Sequence, residues 1–552
     1  MPVRLSGGRI YDPAHGLDGV VRDIFVEGGR IVDAPPPGTR IDETIDLSGK
    51  VVMAGGIDLH SHIGGGKVNI ARTLLPEDHR AQIDARTELR RSGGGHCTPS
   101  TFVTGYRYAE MGYTAAFEPA VVPANARQAH MEMADVPIVD KGGYVMLGND
   151  DFLLRMLARG ADRKGIADYV AWMMRATHAL GIKVVNAGGI SAFKFNGRRL
   201  DLDERGPYYD LSPRQILQPL ARALQDLGVP HPLHVHGSNL GVPGNAETTL
   251  ETIAAAEGLP MHLTHIQFHS YGTEGDRKFS SGAARIAEAV NASPNITIDV
   301  GQIMFGQTVT ASGDTMSQYR NRRHANPAKW VCMDIECDAG CGVVPFRYRD
   351  RNFVNALQWA IGLETFLQVD DPWRIFLTTD HPNGAPFTSY PHLIRLLMDR
   401  SFRNDMLATI NRHAARQSSL GSIDREYSLY EIAIMTRAGP ARILGLADRG
   451  HLGAGAAADI AVYTERDDRE AMFAKPDYVF KDGLMVVRDG RIVATCDGAT
   501  HTVRPEYDRG VEKTVRDHFE RFGTVRMGNF TISDDEIGPG LTVHPCLEAG
   551  RR

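Results

Sequence analysis

Two histidines, His60 and His62, end an apolar run that begins at Val51. Side chains two positions apart on a β-strand point to the same face, so both imidazoles would leave the strand on one side. Imidazole is the commonest metal ligand in proteins. A surface strand can carry such a pair by chance, so the pair predicts part of a metal site only if further ligands accompany it.

Two later apolar runs each carry a pair of histidines, His234 with His236 and His262 with His265. The members of the first pair point to the same face of their strand, whereas those of the second pair point to opposite faces. In each pair the later residue stands nearer the carboxyl end of its strand. We therefore favour His236 and His265 as ligands, and His234 and His262 remain the alternatives.

An acid, Asp380, follows directly after the apolar run that begins at Ile375. An ionised carboxylate is costly to bury without a cation or a hydrogen-bond donor beside it. Its place after a buried strand therefore indicates a metal ligand, with a helix N-cap as the alternative role.

A lysine, Lys194, stands between Phe193 and Phe195. Apolar surroundings lower the pKa of a lysine and leave a neutral amine, which can react with carbon dioxide to form a carbamate. The carbamate would be an anionic bridge between two divalent ions. Lys183 is the rival lysine, but it opens a predicted strand and would face the other end of the sheet.

The ligand types indicate which metal to expect. Nitrogen and oxygen donors without a thiolate suit zinc, with manganese, iron or cobalt as alternatives. The sequence therefore predicts two divalent ions, with zinc as the first choice. Six residues are the predicted ligands: His60, His62, Lys194 as its carbamate, His236, His265 and Asp380.

These ligands need elements that bring them together, and the middle of the chain alternates apolar strand-like runs with amphipathic helical stretches. Such alternation is typical of βα units around a parallel sheet. Eight strands are predicted: Val51–Asp58, Tyr113–Glu118, Tyr144–Leu147, Lys183–Asn186, Pro232–His236, Met261–Ile266, Asn295–Val300 and Arg374–Thr379. Eight βα units predict an α/β fold with a (β/α)8 TIM-like barrel, whose chemistry lies at the carboxyl ends of its strands.

The two chain ends share a second pattern, short strands broken by Gly, Pro and Asp. Residues 28–32 have the sequence GGRIV and residues 489–493 have DGRIV. We therefore expect both ends to form one composite β-sandwich domain. The predicted division is 1–54 and 436–500 for the sandwich, 55–435 for the barrel, and 501–552 for an extension suited to contact another subunit.

The composition excludes several classes of partner. The 552-residue chain has 61 Lys and Arg against 67 Asp and Glu, which gives no reason to expect nucleic acid or a membrane surface. It contains no apolar stretch of about 18 residues and no secretory signal at its start. Six cysteines do not make a disulfide framework, so a cytoplasmic location is expected. Cys332, Cys337 and Cys341 would suit buried structural thiols better than a metal cluster.

Several segments together resemble the amidohydrolase superfamily over nearly the whole chain. They are 54–62, 192–195, 235–239 and, near the end, 440–462. Segments 60–69 and 379–384, with the cysteine-bearing stretch before the last strand, resemble in particular the family of A subunits of formylmethanofuran dehydrogenase and of the formyltransferase/hydrolase complex of aerobic methylotrophs. One departure is Ser238 and Asn239, which replace the acid that the superfamily usually has near the strand-five histidine.

The resemblance implies an amidohydrolase-type barrel and a reaction in one-carbon metabolism. The implied activity is metal-dependent hydrolysis of the N-formyl group of a formyl-methanofuran-type coenzyme to formate and free coenzyme. Asp380 would accept a proton from the attacking water and pass it to the leaving amine. The alternatives are a cyclic amidase of the hydantoinase or dihydroorotase type and a non-catalytic scaffold protein.

Further residues follow the predicted strands and are weaker candidates for the substrate site. They are Asn69, Asn196, His269, Tyr271 and His381. A basic run adds Arg320, Arg322 and Arg323, which the resemblance relates to the glutamate-rich tail of the coenzyme because arginine binds carboxylates in bidentate fashion. The resemblance also implies partner subunits, among them a formyltransferase chain.

Overall fold

Parallel strands form the central sheet of the protein. The computed structural model describes residues 2–189, 200–312, 315–333 and 341–548. In this part of the chain seven parallel strands are hydrogen-bonded in chain order: Glu118–Val121, Gly143–Met146, Gly181–Val185, Leu233–His236, Met261–Leu263, Ile296–Asp299 and Ile375–Phe376. They are short and apolar and alternate with helices, as βα units require. The predicted α/β class is confirmed.

A further parallel pair, Gly56–Asp58 with Tyr113–Ala116, stands between the two edges of this sheet. Ser61 forms a parallel bridge with His381 beyond the last strand, and Ala115 forms one with Asp140 ahead of Gly143–Met146. Main-chain hydrogen bonds of 2.9 Å accompany both bridges. The pair therefore links the first and last strands of the sheet, as the predicted barrel requires.

Several predicted strands have other bounds than the observed ones: Met261–Ile266 and Arg374–Thr379 end earlier, at Leu263 and Phe376, and Tyr113–Glu118 is interrupted at Phe117. Two further differences concern Gly55 and Lys183. The predicted strand 51–58 is divided at Gly55, whose amide donates to the main-chain oxygen of Asp459. This position has no room for a side chain, since a Cβ would lie 2.1 Å from Thr114 Oγ1. The other strand begins at Gly181 rather than at Lys183, so Lys183 stands in its middle. Glycine has no apolar side chain to mark the start of a strand.

Both chain ends contribute to a second sheet. In the described residues it has nine strands: Val3–Asp12, Leu17–Glu27, Arg30–Val32, Glu43–Asp46, Lys50–Ala54, Ile460–Thr464, Tyr478–Lys481, Leu484–Arg488 and Arg491–Ile492. Lys50–Ala54 pairs antiparallel with Ile460–Thr464 and so joins the two ends. Val52, Ile460 and Phe480 belong to the apolar core on this sheet. The β-sandwich and the domain boundaries stay predictions.

Helices surround the parallel strands. Their bounds are Gly66–Leu74, Pro76–Ala81, Thr101–Glu110, Ala126–Ala134, Asp151–Ala158, Arg163–Ala176, Pro213–Asp226, Asn245–Ala255, Ala283–Ala292, Thr315–Asn321, Phe353–Gln368, Tyr390–Met398, Arg400–Thr409, Arg412–Gln417, Leu429–Ala433, Gly439–Leu444, Arg469–Phe473, Val511–Phe522, Met527–Phe530 and Asp534–Ile537. Pro213–Asp226 begins with a capping box of Ser212 and Gln215, which satisfies two otherwise unpaired amides. Within the described ranges, no helix combines the length and apolar character that a membrane crossing needs.

Smaller sheets lie outside the barrel. Gly306–Ser312, Cys341–Tyr348 and Val331–Met333 form an antiparallel sheet beside the carboxyl ends of the barrel strands. Cys341 is opposite Met333, so Cys332 and Cys341 point to opposite faces. Cys341 is buried as predicted, but Cys332 is exposed, so the prediction of a buried structural thiol was wrong for Cys332. Cys337 lies outside the described residues. The short pairs are Ile83–Asp84 with Gly93–Gly94 and Tyr271–Gly272 with Ser280–Ser281.

The C-terminal segment packs against its own barrel. Strand Thr500–Val503 pairs in parallel with Leu541–His544. Phe519, on the helix Val511–Phe522, places its ring edge-on to Trp172 at a centroid distance of 6.1 Å. A contact between this extension and another protein chain stays a prediction.

A buried ionic cluster connects the barrel to the outer sheet. Lys481 is fully buried, and its Nζ lies 3.1 Å from both Asp140 Oδ1 and Asp459 Oδ1. Arg449 Nε donates to Asp140 Oδ2 at 2.8 Å. The neighbouring carboxylates raise the pKa of Lys481 against the opposing effect of burial. The cluster holds its charges because every carboxylate has a cation or a donor beside it.

We expect Lys481→Met to lower the unfolding free energy by about 3–5 kcal/mol, because it leaves buried carboxylates without their cation. The melting temperature measured by calorimetry checks this. Lys475→Met, at an exposed position of the outer sheet's connecting loop, is the matched control and should melt like the parent. Equal melting of both variants would contradict the role of the cluster.

Candidate metal centre

Three groups predicted as ligands meet at the carboxyl ends of the barrel strands. His60, His62 and Asp380 each offer a ligand atom within 4.8 Å of the other two, and all three are buried. His60 Nε2 lies 3.0 Å from Asp380 Oδ1, and His62 Nε2 lies 3.6 Å from the same oxygen. Although 320 positions separate His60 from Asp380, the barrel brings them into contact.

Asp380 is held by both its backbone and its side chain. Its φ of 50° places it in the left-handed region, which non-glycine residues seldom adopt outside constrained sites. Asn383 Nδ2 donates to Asp380 Oδ1 at 3.0 Å. Burial raises the pKa of Asp380, but the hydrogen bond and charge of His60 and the charge of His62 outweigh it and lower the pKa. The side chain is therefore a fixed carboxylate.

A second group consists of His236, His265 and His269, whose ligand atoms also lie within 4.8 Å of one another. The His236 and His265 ring centroids are 4.6 Å apart, and the His60 ring is 5.4 Å from that of His265. His265 has a φ of 37°, and its amide donates to Asp299 Oδ1 at 2.8 Å. The two predicted ligands from strands five and six thus stand beside His60.

His234 and His262, the alternative ligands, make their contacts inside the barrel. His234 Nε2 is 2.9 Å from His60 Nδ1, and its Nδ1 is 3.0 Å from His231 Nε2. His262 Nε2 is 3.0 Å from Asp299 Oδ2. His236 and His265 line the cavity described below, whereas His234 and His262 are bonded inside the barrel. This placement favours the later member of each pair.

Lys183 lies in the same cavity, so the prediction that it faces the other end of the sheet was wrong. The strand begins two residues earlier than predicted, which moves Lys183 toward the carboxyl end. Burial lowers the pKa of Lys183 to about 7, although the charges of Asp380 and Asp299 oppose this effect. Lys194 and Asn196, predicted as ligand and substrate contact, lie outside the described residues.

Two further acids contact the candidate ligands, and the sequence analysis missed both. Glu118 Oε1 lies 2.7 Å from His62 Nδ1. Asp299 Oδ2 accepts from Thr264 Oγ1 at 2.6 Å and lies 3.3 Å from His60 Nδ1. Each acid lies at or near the end of a predicted apolar strand, which is the kind of signal that identified Asp380 and would have found these two.

The candidate ligands His60, His62, His236, His265 and Asp380 line a cavity of about 700 Å³, and the surface that they form is called its floor. Aromatic side chains form part of its wall: Phe268, Phe346 and Tyr348. Cationic side chains also line it: Arg323, Arg347 and Arg349. A ligand could therefore place a small polar group on the floor and an anionic group near the arginines.

The remaining predicted substrate residues are scattered. Asn69 is exposed on the helix Gly66–Leu74 and donates to Glu132, away from the cavity. Tyr271 is buried between Gln267 and Gln358, of which Gln358 lines the cavity.

His381 and the three predicted arginines also differ in whether they line the cavity. His381 is buried, and its Nδ1 accepts from the amide of Phe387 rather than facing the cavity. Arg322 stacks on Tyr319 at 3.5 Å, and Arg320 is exposed on the preceding helix. Of the three predicted arginines, Arg323 lines the cavity.

The donor set fits divalent ions. Imidazole and carboxylate groups converge there without a thiolate, which suits zinc and similar metals. His265 Nδ1 is buried and makes no hydrogen bond to any residue in the described ranges. Buried nitrogens without partners are costly, and a cation would compensate for that cost.

Comparison with known proteins agrees with this geometry. A model of the amidohydrolase family matches residues 43–494. The A subunit of the formyltransferase/hydrolase complex Fhc from Methylorubrum extorquens is 46% identical over 540 residues, which cover 97% of this chain and 97% of that protein. Protein FwdA from Methanocaldococcus jannaschii is 42% identical over 554 residues, which cover 96% of each.

The crystal structure of the FhcABCD complex from Methylorubrum extorquens with methylofuran contains a similar chain. Its TM-score is 0.93 at 44% identity, covering 99% of this chain and 100% of that chain. This likeness extends over the barrel, the outer sheet and the C-terminal segment. The chain therefore belongs to the amidohydrolase family.

Proposed function

We propose that this protein hydrolyses the N-formyl group of a formyl-methanofuran-type coenzyme to formate and free coenzyme. One observation carries the proposal: a cluster of imidazoles and a carboxylate forms the floor of a large cavity in a chain similar over nearly its full length to the A subunit of Fhc. The complex that contains that relative was crystallised with methylofuran. The coenzyme would enter with its formyl group toward the floor.

Two divalent ions, with zinc as the first choice, would be held by His60, His62, Asp380, His236 and His265. When bound, such ions lower the pKa of a coordinated water toward neutrality and polarise a carbonyl group. The protein residues provide the ligand geometry, because Asp380 is fixed by His60 and Asn383. Their burial also limits competition from bulk water.

Asp380 would move the proton of the reaction. Its Oδ1 lies 3.0 Å from His60 Nε2 and 3.6 Å from His62 Nε2, where it would meet the water that attacks the formyl carbon. The carboxylate would accept the proton of that water and deliver it to the amine nitrogen as the C–N bond breaks. The products are formate and the free amine.

Lys183 is the better candidate for the bridging carbamate. It stands on the cavity floor, and burial lowers its pKa to about 7, so a substantial fraction of the amine is neutral. The carbamate carbon would come from carbon dioxide, and the carbamate would replace the lysine's positive charge with a negative one. Lys194, the residue predicted from sequence, remains the alternative.

The cavity wall would bind the rest of the coenzyme. Phe268, Phe346 and Tyr348 suit the furan ring, and Arg323, Arg347 and Arg349 suit the carboxylates of a glutamate-rich tail. By analogy with the relative in the FhcABCD complex, the chain would work beside other subunits, including a formyltransferase chain.

We expect the holoenzyme to release formate from formylmethylofuran, and Asp380→Asn to lower kcat by about 10²–10⁴-fold because the amide cannot accept the proton. Formate release at matched metal content measures this. Asp371→Asn, at the start of the short helix Pro372–Arg374 that precedes the strand Ile375–Phe376, is the control and should keep parent activity. Hydrolysis of a hydantoin instead of the formamide would favour the cyclic amidase, and no turnover by a metal-loaded complex would favour the scaffold.

We expect Lys183→Ala to lose most of the bound metal, because the carbamate that would help hold the ions cannot form on alanine. Added short carboxylic acids should restore part of the metal content of this variant, which elemental analysis measures. Lys194→Ala is the comparison and should retain both ions. The opposite result, with metal lost from Lys194→Ala alone, would assign the carbamate to Lys194.

We expect Arg323→Glu and Arg347→Glu each to raise the KM for the glutamate-tailed coenzyme by roughly tenfold, because a charge-assisted contact is replaced by repulsion. The KM for a short N-formyl furfurylamine without the tail should not change. Arg22→Glu, exposed on the outer-sheet strand Leu17–Glu27, is the charge control. An unchanged KM at low salt in both variants would reject a role for these arginines.

A further inference from the structure

We propose that Glu118 is the positioning residue that fixes His62 for metal binding. The inference rests on the proposed metal centre and deepens it, because it names the group that orients one of the ligands. Glu118 begins the strand Glu118–Val121 and is 2% exposed. It stands directly beside the end of Gly56–Asp58, the strand that leads to His62.

Both oxygens of Glu118 face N–H groups. Oε1 lies 2.7 Å from His62 Nδ1 and accepts from the Ala120 amide at 3.3 Å. Oε2 accepts from the amides of Ile63 and Gly64 at 2.8 and 3.2 Å. The carboxylate therefore holds the imidazole and the main chain that follows it at the same time.

This contact selects one form of the imidazole. A carboxylate only accepts, so the hydrogen of a neutral His62 must be on Nδ1, and Nε2 keeps its lone pair. His62 Nε2 lies 3.6 Å from Asp380 Oδ1. A carboxylate behind a ligating histidine fixes its tautomer and ring orientation and increases its basicity.

The main-chain contacts make the orientation rigid. Gly64 has no room for a side chain, because a Cβ there would lie 2.8 Å from Met133 Cγ. The turn then continues into the helix Gly66–Leu74, which brings Lys67 to the cavity. Glu118 thus fixes both the orientation of the His62 ring and the path of the main chain that follows His62.

Glutamine cannot reproduce this contact, although it has the same shape. Its amide has one accepting end and one donating end, whereas Glu118 meets N–H groups at both oxygens. In Glu118→Gln the NH2 group must face either His62 Nδ1 or the two backbone amides. Either arrangement sets two hydrogen-bond donors against each other, so we expect the His62 ring to rotate away from this contact.

The first experiment measures metal affinity without any turnover. The metal-free full-length protein is titrated with Zn²⁺ in competition with a chromophoric chelator. We expect Glu118→Gln to bind Zn²⁺ about 10–100-fold more weakly than the parent. Glu364→Gln is the matched control, since Glu364 is also a buried acceptor, bonded to Ser418 and Ser419 far from the cavity, and it should keep parent affinity.

The second experiment does not depend on metal. Crystal structures of the metal-free parent and of Glu118→Gln should show the His62 ring bonded to Glu118 in the parent and displaced in the variant. An unmoved ring, or parent affinity for Zn²⁺ in Glu118→Gln, would overturn the inference. If the parent itself binds no Zn²⁺, the proposed metal centre fails, while the ring position still decides whether Glu118 orients His62.

Discussion

The cost of burying a carboxylate determines the arrangement of the whole site. Asp380, Asp299 and Glu118 each lie at or beside the end of a barrel strand, and each is nearly inaccessible to solvent. A buried charge is tolerated only where donors or cations surround it. Here the donors come from neighbouring strands and their loops, as when Asp299 accepts from Thr378 and from the amide of His265. The same contacts that satisfy the acids therefore fix the positions of the imidazoles.

The sequence was sufficient to predict most of the barrel strands and most of the candidate ligands that the structure brings to one cavity. Apolar runs separated by amphipathic stretches marked the strands, because parallel strands covered by helices contain few polar residues. The parity of His60 and His62, and the position of His236 and His265 late in their runs, indicated the correct end of the barrel. These features are local, so they can be recognised without knowledge of the fold.

Features that depend on distant parts of the chain could not be predicted in this way. Lys183 was assigned to the wrong end because Gly181 gave no apolar signal for the start of its strand. The partners of Glu118 include main-chain amides, which have no sequence signature. Likewise, the basic run identified Arg323. Arg347 and Arg349 reach the cavity from the strand Cys341–Tyr348 and the turn after it. Charge alone does not indicate which way a loop folds.

The outer sheet joins Lys50–Ala54 to Ile460–Thr464, whose facing side chains Lys50 and Thr464 are 414 positions apart. During synthesis, the N-terminal strands therefore emerge long before their partner strand exists. Until then Lys50–Ala54 presents an unpaired edge, the kind of surface that promotes aggregation of nascent chains. Completion of the sheet must wait until the ribosome has made the entire barrel. This contact therefore forms late, whereas the parallel strands pair with neighbours that are close in the chain.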